Sequence, residues 1–368
     1  MPLERLYLKD FRLFQEKTFT FTEGTNLILG INGSGKTSIL ESLNILLSGK
    51  SFRTKDTKEC IKSEKDSYAI SANGLIGEGR VSLKAFNSLE GRLTTNRILD
   101  GKKIRQDDLF YLQAILSRDL KMIDGEPDIR RDYFNDLMFH VKPDVKKISN
   151  KYTKALKQRN RALKNKRDNS EIDIWTKEVS SIGLDLSLLQ YDFFKHFKNY
   201  SKKYIEDITS VDSFNFLEGL DVSFSKGWER SKKLDESLDD CIERDKALGY
   251  TSKGPHRMDF TFNINKKRAG SNLSRGQLKI LILLIFLSNY SLLKNLKDTE
   301  TILMIDDLSS ELDAHNLTSI LEEILKINHQ VILTGIEGDE MLSCLKKLTN
   351  FTQINLSLIH ISEPTRLN

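Results

Sequence analysis

The chain has 368 residues, of which 39% are hydrophobic and 30% are charged, and its formal net charge is +5. This length predicts two domains, or one domain with a large insertion, and the apolar fraction is enough for a buried core. No stretch approaches the ~20 uncharged apolar residues that cross a bilayer, and the N-terminal segment lacks a signal-peptide core, so we expect a cytoplasmic protein without a membrane partner.

The first segment, residues 1–111, is predicted to be mixed α/β. Short apolar or alternating runs indicate its strands, at residues 6–8, 19–21, 27–29, 68–71, 81–86 and 96–99. Helical spacing of apolar residues begins directly after residue 37. The last strand precedes Asp100-Gly101, a dipeptide that predicts a tight hairpin turn.

Residues 30–37 read Gly-Ile-Asn-Gly-Ser-Gly-Lys-Thr and fill every fixed position of the pattern G-x-x-x-x-G-K-[ST]. They lie between a predicted strand and a predicted helix, a context that distinguishes a P-loop from a chance glycine-rich turn. Glycines let backbone N–H groups curl around phosphate oxygens, and the helix N-terminus adds partial positive charge. The sequence therefore predicts a site for ATP and Mg²⁺ formed by Gly30, Ile31, Asn32, Gly33, Ser34, Gly35, Lys36 and Thr37.

Two residues of this loop are paired with an acidic motif further along the chain. Lys36 is predicted to reach the β- and γ-phosphates and to be catalytic, and the Thr37 hydroxyl to ligate Mg²⁺. Residues 301–307 form a hydrophobic strand that ends in Asp306 and Asp307. We expect Asp306 to hold Mg²⁺ with Thr37, and Asp307 to polarise the attacking water. The alternative is a strand that merely runs into an acidic turn.

Residues 112–215 change to a helical pattern. Apolar residues recur at three- and four-residue spacing on both sides of a polar break at 167–170, which predicts two amphipathic helices joined by a turn. Strand and helix patterns alternate again over 216–355. We therefore predict an ATPase domain formed by 1–111 and 216–355, with the helical subdomain inserted between them. The tail, residues 356–368, follows neither pattern.

The first predicted helix of the insertion is strongly basic. Between residues 142 and 167 there are eleven lysines or arginines against a single acid, Asp144. A charge run is more commonly a solvated helix face, but such an excess of one sign can also neutralise DNA phosphates without reading bases. We favour double-stranded DNA, with candidate contacts at Lys154, Lys157, Arg159 and Arg161.

Residues 273–277, Leu-Ser-Arg-Gly-Gln, open a long apolar helix. Alone, this segment is a helix start with Ser274 as the capping residue. Beside a P-loop and an acidic strand, it resembles the signature segment of ABC-type ATPases, usually LSGGQ. In that class the signature of one subunit closes over the γ-phosphate held by another. The resemblance implies a homodimer, a catalytic role for Ser274, and nucleotide contacts from Ser274, Gly276 and Gln277.

Two further positions bear on that class. Gln113 is either its Q-loop glutamine or a polar surface residue, and the sequence leaves both open. Thr334 stands at the switch position, where the class usually has histidine, so a γ-phosphate contact from it is disfavoured.

Segments throughout residues 6–355 resemble the RecF family of bacterial recombination-mediator ATPases. The shared markers are the segments at 9–12, 49–54, 125–134, 157–163, 254–257 and 273–279. Asn135 and Met258 depart from the family, which usually has aspartate at both positions. Considered without the family, these two segments are predicted to be structural, Arg130-Arg131 as a salt-bridged pair and Pro255-His256 as a rigid turn.

The resemblance implies an ABC-type P-loop ATPase head, a mixed sheet with flanking helices, that carries an inserted helical subdomain. It also implies ATP-dependent dimerisation, slow DNA-dependent hydrolysis, and binding to double-stranded DNA near single-strand gaps. Implied partners are RecR with RecO, which load the RecA recombinase, at the bacterial nucleoid. The alternatives are an SMC-type chromosome-organising or DNA-end-binding head, disfavoured because no heptad repeat persists, and a transporter subunit, disfavoured by the basic helix.

Overall fold

Strands and helices fill most of a computed structural model, which describes residues 3–104, 110–116, 119, 121–297, 300–327, 329–338 and 340–356. The strands are, in chain order, β1 Arg5–Phe11, β2 Phe14–Thr20, β3 Thr25–Gly30, β4 Ser67–Ile76, β5 Gly79–Ser88, β6 Thr94–Leu99, β7 Lys102–Lys103, β8 Tyr111–Ile115, β9 Leu220–Ser225, β10 Asp259–Ile264, β11 Lys267–Arg268, β12 Thr301–Ile305, β13 Gln330–Gly335 and β14 Thr352–Leu356. The α-helices are α1 Lys36–Ser48, α2 Lys121–Asp124, α3 Pro127–Val141, α4 Pro143–Lys164, α5 Asn169–Ile208, α6 Leu234–Asp240, α7 Ile242–Leu248, α8 Ala269–Asn272, α9 Arg275–Lys297, α10 Ala314–Leu325 and α11 Glu340–Leu348.

The chain divides into two units whose boundaries differ from the sequence-based ones. The first unit combines Met1–Ser117 with Asp298–Asn368, and the second is Arg118–Lys297. The insertion therefore continues well beyond residue 215. The reason is packing: α9 and β9, assigned from sequence to the ATPase domain, lie against α5, the long helix of the insertion. The predicted tail, apart from residue 356, lies outside the described residues.

A five-stranded parallel sheet forms the centre of the first unit. Its strand order is β14-β3-β13-β12-β8, so segments from both ends of the chain build one sheet, as the sequence predicted. The strands β3, β12 and β13 are buried at every residue, which is why they appear in the sequence as continuous apolar runs. Ligands of such sheets bind where the carboxyl ends of the strands meet.

The other sheet of the first unit has the order β2-β1-β4-β5-β6-β7 and is antiparallel throughout. Its last hairpin turns at Asp100-Gly101, where φ is 48° and 79°. Positive φ at both central residues is the requirement of the tight turn that this dipeptide predicted.

The second unit is built on α4 and α5, the two helices that the sequence predicted on either side of a polar break. The Asp168 side chain caps α5 by accepting the N–H of Glu171. A three-stranded antiparallel sheet of order β11-β10-β9 accompanies the helices. Aromatic side chains fill the core, where the ring of Phe134 lies 5.3 Å from that of Phe193 and 5.7 Å from that of Phe260.

The expectation that no stretch approaches a bilayer-crossing segment is wrong by length and composition, because the helix α9 meets that test and is the one helix among the described residues that does. Of its 18-residue apolar window, 78% is buried inside the protein. The helix is hydrophobic on nearly all sides because it lies in the core of the second unit, as a buried helix of a folded domain does.

Candidate nucleotide-binding site

The loop between β3 and α1 requires its glycines. Gly33 and Gly35 have φ of 82° and 99°, in the left-handed region that side chains disfavour. A Cβ atom on Gly35 would also lie 2.7 Å from the Phe14 ring and 2.8 Å from Leu13, and one on Gly30 would meet Ser34 Oγ. The P-loop pattern is therefore a packing constraint as well as a binding motif.

The loop presents hydrogen-bond donors to an anion. The N–H groups of the first turn of α1 have no partner within the helix, and no side chain caps that end. Ser34 is buried, and its Oγ has no hydrogen-bond partner among the described residues. A bound phosphate would satisfy both sets of groups, so the residues present fit the predicted nucleotide.

The Lys36 ammonium group bends back over the same loop. Its Nζ donates to the carbonyl oxygens of Gly30 at 2.6 Å and Ile31 at 3.0 Å. Partial burial lowers the pKa of Lys36, and nearby carboxylates of Asp306 and Asp307 oppose that shift. The lysine thus lies between the loop and the acidic motif, a position from which we expect it to reach the β- and γ-phosphates.

The two predicted Mg²⁺ ligands lie side by side although 269 positions separate them in the chain. The Thr37 hydroxyl donates to Asp306 Oδ2 at 2.9 Å. Parallel pairing places Asp306 after β12, at the carboxyl edge of the sheet from which the P-loop also leaves β3. A hydroxyl and a carboxylate are the hard oxygen ligands that Mg²⁺ prefers, so this pair fits the cation.

Thr334 orients the acidic pair, a role that the sequence did not suggest. Its buried hydroxyl donates to Asp306 Oδ1 at 2.7 Å and accepts the Asp307 N–H at 2.9 Å. The second bond holds Asp307 in a left-handed conformation, with φ of 54°. Because the Thr334 hydroxyl donates its proton to Asp306, it does not point that proton toward a γ-phosphate, in agreement with the expectation from the sequence.

Glu41, in α1, is the centre of a buried charged cluster that sequence reasoning missed. Its buried carboxylate accepts two hydrogen bonds from Arg12, at 2.7 and 2.9 Å, and one from Ser51 at 2.5 Å. Arg53 lies 3.7 Å away. Burial alone would raise the pKa of Glu41, but these partners hold it below its usual value. The signal was the one acidic residue of α1, which lies next to the apolar pair Ile39-Leu40.

The signature segment lies in the second unit, whereas the P-loop lies in the first. The Ser274 hydroxyl accepts the Gln277 N–H at 3.3 Å, and the Gln277 side chain accepts the Ser274 N–H at 3.0 Å. This reciprocal capping box starts α9 and leaves Ser274 exposed. Gln113 lies in the middle of β8 and is buried, so neither a loop glutamine nor a surface residue describes it.

Three of the four candidate DNA contacts lie on an exposed basic face of α4, and the fourth is buried. Lys154, Lys157 and Arg161 are exposed and form no ion pair with any described acid. Arg159 is fully buried and pairs with Asp245 at 2.7 Å, so its prediction as a DNA contact is wrong. Helical spacing from the buried Tyr152 and Ala155, on the apolar face of α4, was the available signal.

The two family segments that looked structural in isolation are structural in the fold. Arg130 donates to both carboxylate oxygens of Asp259, at 2.7 and 3.0 Å. His256 lies in a short turn and bonds to the Tyr152 hydroxyl at 2.7 Å and the Thr251 carbonyl at 3.1 Å. Burial lowers the pKa of His256 to about 4, so at neutral pH its ring is an uncharged part of this packing.

Comparison with known proteins identifies the family. The family model described as RecF/RecN/SMC N terminal domain matches residues 2–357. A relative from Pseudoalteromonas translucida, named DNA replication and repair protein RecF, is 30% identical over 368 residues, which cover 98% of each chain.

Solved structures agree on the fold. The structure of "the recombination mediator protein RecF-ATPrS in RecFOR pathway" has a TM-score of 0.79 at 22% identity, covering 92% of this chain and 93% of that one. An Smc head domain derived from Pyrococcus furiosus, solved with an extended coiled coil, scores 0.52 at 15% identity, covering 97% and 94%. The fold is that of an ABC-type ATPase head, and the chain belongs to the RecF family, not to the SMC heads that were the alternative.

Proposed function

We propose that this protein is an ATPase of DNA replication and recombinational repair, in which ATP closes a dimer on double-stranded DNA. The observation that carries the proposal is the 2.9 Å contact between Thr37 and Asp306 beside a P-loop with donors for a phosphate, in a member of the RecF family. Relatives are named DNA replication and repair proteins, and a solved relative is described as RecF-ATP in the RecFOR pathway.

The nucleotide would be held by groups already in place. Backbone N–H groups of the P-loop and Lys36 would bind the β- and γ-phosphates, with Thr37 and Asp306 as ligands of Mg²⁺. Mg²⁺, when bound, supplies neutralisation of the phosphate charge. Thr334 keeps the Asp306 carboxylate turned toward Thr37, since it occupies the other carboxylate oxygen.

Asp307 is the proposed general base, and Asp307→Asn should separate hydrolysis from binding. Asparagine keeps the shape and the N–H bond to Thr334 and tolerates a left-handed backbone, so ATP affinity should change less than about twofold. Single-turnover hydrolysis should slow by about a hundredfold or more, because general bases contribute 10²–10⁴. The ATP-bound dimer should then accumulate. Unchanged turnover would leave Asp307 as a structural acid.

Dimerisation is proposed to complete the site, because in the ABC-type class the signature of one subunit contacts nucleotide held by the other. Ser274 is suited to that contact, since it is exposed at the start of a 23-residue helix. Its Oγ can accept the Gln277 N–H while its proton is donated to a phosphate oxygen. Gly276 leaves room for close approach.

Ser274→Arg should prevent ATP-induced dimers and leave ATP binding by the monomer within about twofold of the original, because the larger arginine side chain would clash only at the interface of the ATP-bound dimer. Sedimentation velocity with and without ATP and duplex DNA measures this directly. Ser274→Thr is the matched control, since it retains a capping hydroxyl without the bulk. If the arginine variant lost ATP binding as a monomer, Ser274 would act within its own subunit or support the fold.

Double-stranded DNA is proposed to lie along the exposed face of α4. Lys154, Lys157 and Arg161 occur at i, i+3 and i+7 and therefore share that face. Backbone contacts of this kind are independent of sequence and release condensed counterions.

Reversing the charge of Lys154, Lys157 and Arg161 together should flatten the log–log salt dependence of duplex binding by two to three units, at about 0.9 per phosphate contact. Fluorescence anisotropy at several salt concentrations gives the slope. The control reverses a second trio with the same change in net charge, composed of the ion-paired Lys202, Lys232 and Lys246. An unchanged slope in the first variant would move the DNA surface elsewhere, and the region around Arg53 would be tested next.

The finer assignments follow from the family and are part of the same proposal. They are weak, DNA-dependent hydrolysis, preference for junctions between single- and double-stranded DNA, and cooperation with RecR and RecO in loading RecA in the cytoplasm at the nucleoid. The RecFOR pathway is named in the description of a solved relative. Co-sedimentation of purified RecR with the ATP-bound dimer, but not with the Ser274→Arg variant, would support the partner assignment.

A further inference from the structure

A groove opens on the surface of the second unit between α5 and β9. Its volume is about 610 Å³. The rim residues on α5 are apolar but poorly covered, with Leu188 70% exposed and Tyr191 51% exposed. The floor is aromatic, because the rings of Phe194 and Phe224 pack against each other at 4.8 Å. Exposed apolar side chains over an aromatic floor are typical of a binding surface.

The strand that forms one wall of the groove is an edge strand. The sheet order is β11-β10-β9, so β9 pairs on one side only. A two-residue turn, with positive φ at both residues, joins β10 to β11 after Ile264. Counted from that turn, Phe262 of β10 directs its backbone N–H and C=O toward β11, and Phe262 is the residue paired with Val222 of β9. This register turns the N–H and C=O of Val222 away from β10, where they meet no partner among the described residues. An extended chain could pair with them.

The charge of the groove is positive. Three cations, Lys198, Lys226 and Arg230, line it together with one acid, Asp221. Lys198 neutralises Asp221 at 2.7 Å. The other two donate to backbone carbonyls, as Arg230 does to Phe224 at 3.1 Å, and no described carboxylate lies within ion-pair distance of either. Their charge therefore remains to attract an acidic ligand.

We propose that this groove binds an extended acidic segment of a partner protein, which adds a strand to β9 and places alternate apolar side chains against Leu188 and Tyr191. Strand addition uses free backbone groups for affinity and alternate side chains for specificity. A second copy of this chain fits less well, because it would bring the same cations together. Single-stranded DNA also fits less well, because the rings of Phe194 and Phe224 pack against each other, and the Tyr191 ring packs against Phe224 at 5.7 Å and has the Lys195 ammonium group over it at 5.8 Å.

The first experiment is a selection of random ten-residue peptides displayed on phage, with the full chain as bait. Sequences that alternate aspartate or glutamate with apolar residues should be enriched, and the enrichment should disappear with the Leu188→Ala, Tyr191→Ala double variant. Both side chains are largely exposed, so the variant should fold normally and keep its ATP affinity. No enrichment, or enrichment that survives in the double variant, would overturn the proposal.

The second experiment tests strand addition with the protein unchanged. The selected peptide is synthesised with N-methyl groups on its odd-numbered residues or on its even-numbered residues, because only one set of N–H groups faces β9. One set should weaken binding at least about tenfold and the other less than about twofold. Equal effects of both sets would refute pairing with β9. Competition by oligothymidine, or loss of self-association in the double variant, would assign the groove to single-stranded DNA or to a second copy instead.

Discussion

Replacing Lys36 by alanine is expected to weaken ATP binding by at least about a hundredfold, since charge-assisted hydrogen bonds contribute roughly 1.5–3 kcal/mol each and we propose that this side chain donates more than one to the phosphates. Lys36 is the cation that the loop carries, and its Nζ already lies against the carbonyls of Gly30 and Ile31. Isothermal titration calorimetry with ATP and Mg²⁺ measures the change directly.

A matched control is available in the same unit. The Lys62 ammonium group also donates to a backbone carbonyl, that of Leu13 at 2.9 Å, but it is not part of the P-loop. Lys62→Ala should leave ATP affinity within about twofold, whereas both variants should unfold at similar temperatures. Retention of tight ATP binding and of ATP-dependent dimerisation by the Lys36 variant would remove the basis of the proposed function.

The sequence predicted which residues of the P-loop and the acidic strand the fold brings together, because these parts are local motifs attached to strands of one sheet. The P-loop fixes its own conformation, and Asp306 follows a buried strand. Parallel strands present their carboxyl ends at one edge, so the meeting of Thr37 with Asp306 follows from topology once both strands join one sheet. Thr334 could not be assigned in this way, because its partners depend on side-chain orientation after folding.

The predicted end of the insertion at residue 215 was wrong because local sequence patterns do not report tertiary packing. Strand patterns at 222–224 and 259–264 were correct as strands, but alternation in sequence does not say which sheet a strand joins. In the structure β10 pairs with β9 on one side and with β11 on the other, and this sheet accompanies α5 in the second unit. Tertiary packing on a 40-residue helix decided the assignment, and nothing in the local sequence reports it.

Arg159 was wrongly predicted because an arginine on a helix can be either a DNA contact or one half of a buried ion pair. Within a basic run it resembled its neighbours, yet the carboxylate that neutralises it lies 86 positions away, in Asp245. The helical period placed it with Tyr152 on the buried face of α4, and that argument should have outweighed composition. An arginine on an apolar helix face calls for a buried partner.

The buried ion pair leads to the largest stability effect that we expect. Arg159 and Asp245 are both fully buried, and Arg159 also donates to Thr176 at 2.9 Å and Thr251 at 2.8 Å. Asp245 in turn accepts the N–H of Ser252 at 2.9 Å. The pair therefore ties α4, α5 and α7 to the segment after α7. Loss of one partner leaves a charge in the protein interior without compensation.

Asp245→Ala should lower the free energy of unfolding of the second unit by about 3–5 kcal/mol, the usual effect of breaking a buried pair from one side. Urea denaturation followed by circular dichroism measures it. Glu243→Ala is the control, two positions away on the same helix, where the exposed pair with Lys246 should contribute no more than about 0.5 kcal/mol. Comparable losses in the two variants would show that burial of the Asp245 pair has no special weight.

The double variant Arg159→Met, Asp245→Leu separates the structural role of Arg159 from a role in DNA binding. Removing both charges together should recover most of the stability lost in Asp245→Ala, because no unpaired charge remains inside. Its salt dependence of duplex binding should equal that of the original protein, since Arg159 cannot reach a phosphate from a fully buried position. A slope reduced by about one unit in a stably folded double variant would return Arg159 to the DNA surface and would mean that α4 rotates or unpacks when DNA binds.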